Sequence, residues 1–170
     1  MPHRILAATI VALAFAVLAA GCGSGGTKWS EKTLSYTEKD MNDFSFQDNP
    51  PKSPATQNEP KLSNGDQITF TSGLVDSSGA TVGRLDATCT VTSAGNGQFQ
   101  GAKGQCNGTA TLSNGTLALN VGGKPFTDVT TGAIVGGSGD YEGATGSFTS
   151  TNTGDNTPNK DEFHFFIPKK

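Results

Sequence analysis

Cysteines at positions 22, 89 and 106 are the residues of this chain with the most definite chemistry. Cys89 and Cys106 each fall on the apolar face of an alternating segment, and their midpoint lies just beyond Asn96-Gly97, a hairpin-type turn. A chain reversing there sets the two thiols opposite each other, within reach of a disulfide that would contribute roughly 3 kcal/mol in the chain-entropy model. The rival reading of either cysteine is a reactive thiol. Other chemistry is sparse: no Ser/His/Asp order and no metal-ligand spacing occurs, so no metal is expected. His164, flanked by Phe163 and Phe165, reads as a solvated or hydrogen-bonded bystander. Asp48, ahead of Asn-Pro-Pro51, is better suited to cap a turn than to act as a general base. The run Gly136-Gly-Ser-Gly-Asp-Tyr-Glu-Gly-Ala-Thr-Gly146 fits neither a phosphate loop nor a dinucleotide fingerprint, since no helix follows it.

Cys22 belongs to a different setting. Arg4 precedes sixteen uncharged residues, Ile5 to Ala20, and the segment closes on Leu18-Ala-Ala-Gly-Cys22. A basic start, an apolar core and a small-residue cleavage site make an export signal over residues 1–21. At about 1.5 Å per residue the apolar run covers roughly 24 Å, short of the ~30 Å of a hydrocarbon core, which argues against a permanent membrane helix. Ala20-Gly21 before the cysteine resembles the bacterial lipobox, with Ala19 where leucine is usual and Leu18 one place further out. Cys22 is therefore expected to take lipid and become the first residue of an extracytoplasmic protein anchored to the cell membrane, where two or more acyl chains hold firmly. That use of Cys22 leaves Cys89 and Cys106 as an even pair in an oxidising compartment.

The 149 residues left after cleavage suit one domain. Losing Arg4 leaves 11 basic residues against 15 acidic ones, scattered with no basic stripe, so nucleic acid is not an expected partner. Residues 22–40 are small, polar and charged and read as a flexible tether, with Trp29 and Tyr36 able to pack back on the domain. From Asp43 onward the period is two. Phe44 and Phe46 share a face, as do Ile68, Phe70 and Leu74; Leu85 to Val91; Cys106 to Leu112; Leu117 to Val121; Val129 to Val135; the strand around Phe148; and Phe163, Phe165 and Ile167. Gly, Asn and Asp punctuate these segments about every ten residues. Eight strands and no helix predict an all-β domain over 41–170, most economically an eight-stranded antiparallel up-and-down β-barrel, because closure removes exposed edges.

The glycine run resembles the GGTGxYxGAxG signature of the allene oxide cyclase and dirigent barrels. Thr131-Gly-Ala-Ile134 before it agrees, as do Gly65-Asp-Gln-Ile-Thr-Phe-Thr71, Val82-Gly-Arg-Leu85 and Ala87-Thr-Cys-Thr-Val91, and the likeness extends over about 43–168. It implies a barrel that confines a greasy, reactive guest without a cofactor, and assembly into dimers or trimers. Its catalytic residues carry over poorly. The cyclase cysteine falls near Cys89, expected to be oxidised, and the cyclase glutamate falls near Ser45.

Three functions remain open on sequence. The preferred one is a binding barrel holding a small hydrophobic or aromatic molecule between Phe44, Phe46, Phe70 and Phe165. The second is a cofactor-free isomerase or cyclase using Asp48, Tyr141 or Glu162. The third is a structural or partner-binding envelope protein with a solid interior.

Overall fold

The computed structural model describes residues 27–49, 61–152 and 158–169. The eight strands are β1 (Trp29–Gln47), β2 (Gln67–Val75), β3 (Thr81–Ser93), β4 (Lys103–Leu112), β5 (Gly115–Gly123), β6 (Val129–Gly139), β7 (Thr145–Thr151) and β8 (Lys160–Pro168). Each pairs antiparallel with the next, and β1 with β8, so the sheet closes into an up-and-down barrel. Beside the strands, the described residues hold only a single 3-10 turn, Phe99–Gly101. None of their helices is long and apolar enough to cross a membrane.

β1 begins at Trp29, so residues 29–40 are wall rather than tether. Leu34, Tyr36 and Glu38 alternate inward there, between the exposed Thr33, Ser35 and Lys39 and the half-buried Thr37. The strand is hard to read because its inward set ends on an acid, and because Asp40 and Asp43 adopt φ of 49° and 54°. Each marks a register shift against β2, between Lys39 and Met41 and between Asn42 and Ser45, that restarts the alternation. Export signal and lipid site, 1–22, lie outside the described residues.

Sequential antiparallel order puts the turns 76–80, 113–114 and 140–144 at one end, with the start of β1 and the end of β8. The β1–β2, β3–β4, β5–β6 and β7–β8 connections lie at the other. The first end is plugged. Leu34, Tyr36, Leu74, Leu112, Leu117, Ile134, Tyr141, Phe163 and Phe165 pack there, with Tyr141 and Phe165 edge-on at 5.8 Å. At the other end Asp66, fully buried, receives the Asn49 and Ser63 amides at 3.0 and 2.6 Å and the Ser63 hydroxyl at 2.7 Å, and so ties the two ends of the β1–β2 connection together. Burial alone would raise its pKa, but these donors outweigh it and hold the carboxyl below the usual range.

The glycine run forms the β6–β7 corner at the plugged end. A Cβ on Gly137 would stand 2.7 Å from the Thr116 carbonyl oxygen and closer still to that of Tyr141, whereas one on Gly136 would meet nothing within 4 Å. Gly137→Ala is therefore expected to cost about 2 kcal/mol and Gly136→Ala less than about 0.5 kcal/mol by urea denaturation. Equal losses would show that the run serves something other than close backbone approach.

Candidate functional site

Cys89 and Cys106 are direct partners in the β3–β4 register and form a disulfide, Cα atoms 3.9 Å apart, on the barrel's inner wall. Around them the barrel is hollow. A cavity of about 460 Å³ occupies the end opposite the plug, with Phe44, Phe70, Phe99, Phe126 and Phe148 among its lining and Ile68, Leu85, Leu119 and Val121 between the rings. Phe99 and Phe126, from the β3–β4 and β5–β6 connections, meet edge-on at 5.4 Å and form part of its rim. The volume falls within the range typical of small-molecule sites.

One side of this wall is polar. Glu38 of β1, Ser150 of β7 and Asn159, just before β8, line the cavity together. Asn159 donates its side-chain amide to Glu38 Oε1 at 3.3 Å, and its backbone carbonyl accepts from the Glu38 amide at 2.8 Å. Behind them lies Asp161, the register partner of Ser150, on the same inward face as Phe163 and Phe165. It is 1% exposed, and neither carboxyl oxygen has a hydrogen-bond partner among the described residues. Burial, and then the charge of neighbouring Glu38, push its pKa up to about 8, so it holds a proton at neutral pH.

Of the four phenylalanines expected to surround a ligand, Phe44 and Phe70 line the cavity. Phe46 packs against the core beside them, outside the lining, and Phe165 sits in the plug. The three acid-base candidates are not brought together. Asp48 lies at the end of β1 beside Asp66, Tyr141 belongs to the plug, and Glu162 is exposed on the outer face of β8. None of the three lines the cavity. Glu38 and Asp161 are what sequence reasoning missed. Both were available from period two, Asp161 standing two residues before Phe163 and Glu38 two after Tyr36. His164 faces outward, 2.6 Å from Glu31. No group of three or more potential metal ligands occurs among the described residues.

No family model matches the chain, and no curated protein matches it by sequence. Solved structures do match. A pyocyanin demethylase superposes with a TM-score of 0.64 at 22% identity over 79% of this chain and 99% of its own. A pterocarpan synthase dirigent protein gives 0.60 at 18% identity, over 85% of this chain and 94% of its own. An exo-specific intermolecular Diels-Alderase gives 0.55 at 13%, over 81% and 99%. The fold is thus that of the allene oxide cyclase and dirigent-like barrels.

Proposed function

We propose that this chain is a lipid-anchored extracytoplasmic barrel that binds one small hydrophobic or aromatic molecule in its open half. The half-hollow interior carries the reading. A barrel of this size can be filled by its own side chains, and here one end is filled while the other keeps about 460 Å³ faced by five phenylalanines. The similar structures, those of a demethylase, a dirigent protein and a Diels-Alderase, fit the same use of the interior. A solid barrel, the premise of a purely structural role, is not what these residues form.

Anchorage at Cys22 gives the site an orientation. Six residues separate Cys22 from Trp29, a span of at most about 25 Å, and Trp29 starts β1 at the plugged end. The mouth would open away from the bilayer and take its ligand from the aqueous side. The oligomer that the family resemblance implies would draw on exposed apolar residues of β6, Val129 and Val135. A cofactor-free isomerisation is the second reading, favoured by the protonated Asp161 behind the cavity wall. It would run through Glu38 and Asp161 rather than Asp48, Tyr141 or Glu162.

Native mass spectrometry of protein purified from its own host is expected to show a bound small molecule, and a neutral fluorophore such as anthracene methanol should be taken up. Phe70→Ala should weaken that uptake about tenfold, close to 1.4 kcal/mol. A bare mass together with no uptake would remove the binding reading.

A further inference from the structure

The charge of the cavity is one-sided. Glu38 and Asp128 are in its lining and Asp161 lies directly behind Glu38, yet no lysine, arginine or histidine is among the described lining residues. The acids are also placed differently: Asp128 is exposed at the rim, whereas Glu38 is 7% exposed at the inner wall. A buried carboxylate is costly unless it is paired. Among the described residues Glu38 accepts from the Asn159 amide at 3.3 Å, and Asp161, 1% exposed, faces Glu38 and Ser150. No positively charged partner completes this polar wall among the described lining residues.

The apolar side points the same way. Phe44, Phe70, Phe99, Phe126 and Phe148 surround the same volume, and aromatic faces attract cations, with estimates of about 0.5–2 kcal/mol per contact depending on desolvation. Rings with buried acid on one side suit a flat apolar body that bears a positively charged nitrogen. An anionic guest, such as a fatty-acid carboxylate, would bring a further negative charge beside Glu38 and Asp128 in a space whose described lining offers it no cation.

From this arrangement we infer that the cavity is charge-selective and takes aromatic or amphiphilic organic cations, amines or N-heterocycles, with Glu38 as the group that receives the charged nitrogen. Asp161 stands directly behind Glu38, outside the lining, and backs it from within the wall. Asp128 at the mouth favours the entry of the same charge. The inference rests on the binding reading given above and specifies its ligand class.

The test uses the full-length protein and three probes sharing a three-ring body: aminoacridine as the cation, anthracene methanol as the neutral form and anthracene carboxylate as the anion. Fluorescence titration at neutral pH is expected to rank them in that order, with the cation at least tenfold tighter than the anion. Glu38→Gln keeps the side-chain size and an acceptor for Asn159, and should cut aminoacridine affinity about tenfold while leaving anthracene methanol within twofold. Asp128→Asn, at an exposed position that the fold does not depend on, should slow cation association and narrow the gap in the same direction. Three probes binding alike, or the anion binding best, would overturn the charge inference while leaving the cavity reading intact. Failure of all three to bind would remove the cavity reading, and the ligand class with it.

Discussion

Asp161→Asn is expected to stabilise the barrel by on the order of 5 kcal/mol at pH 9 while changing little at pH 4. The carboxyl is 1% exposed with neither oxygen satisfied, and its pKa is pushed up to about 8 by burial first and then by the charge of Glu38. An aspartate in an unfolded chain has an ordinary value of 3.8. Between those two values the native state binds a proton that the unfolded chain has released. Stability is therefore full below about pH 4 and falls as pH rises through 8, by up to about 1.4 kcal/mol per unit. Tyr36, its register partner on β1, has a pKa raised by burial and stays neutral across this window, and Ser150 on β7 does not titrate. Asparagine has the same shape, cannot ionise, and can donate to Glu38. Urea denaturation at pH 5, 7 and 9 reads the difference directly, and wild type should lose stability with rising pH while the variant's line stays nearly flat. Parallel lines for the two proteins would mean that Asp161 is not the buried acid described. Asp66 acts in the opposite sense, since its lowered pKa contributes stability that is lost as pH falls through the carboxylate range.

What could be read in advance followed the period of two. Residues of β2 to β5, β7 and β8 alternate cleanly enough to give inward faces and the Cys89–Cys106 pairing, but β6 was read on the wrong face: Val129, Thr131, Ala133 and Val135 turn outward, and Ile134 with the small Gly132 turns inward. β1 was legible only from Asp43. Its earlier half shows just Leu34 and Tyr36 inward among polar neighbours, and the two left-handed aspartates, Asp40 and Asp43, reset the phase. Glu38 was lost with that half-strand. Asp161 is obscured for another reason: Glu162 beside it is an acid as well, and a one-residue step in a strand turns a side chain to the other face. The height of a side chain along the barrel axis was not legible at all. Phe70 and Phe165 both turn inward, but strand tilt and stagger put one at the cavity and the other in the plug, and neither quantity is written in the alternation.

Removing the cross-link should have the other large effect. Cys89 and Cys106 are 17 residues apart in sequence, and closing a loop of that length restricts the unfolded chain by roughly 3 kcal/mol. The double variant Cys89→Ala/Cys106→Ala is thus expected to lose about 3 kcal/mol, or on the order of 10 °C in Tm for a domain of this size. The two residues are 2% and 6% exposed and their side chains contribute to the cavity wall, so the alanine pair also enlarges the cavity and should reduce uptake of a neutral aromatic probe. Reduction alone separates these effects, because it opens the loop while leaving both sulfur atoms in place. Wild type treated with a thiol reductant should fall most of the way to the variant's Tm yet keep most of its probe affinity. A reductant without effect on Tm would show that β3 and β4, already in register on both sides of the pair, supply the restriction by themselves. Thiol titration ties the same bond to the N-terminus. Protein from its native envelope, with Cys22 acylated and the inner pair oxidised, should present no free thiol after denaturation, and one reactive thiol there would mean that Cys22 carries no lipid.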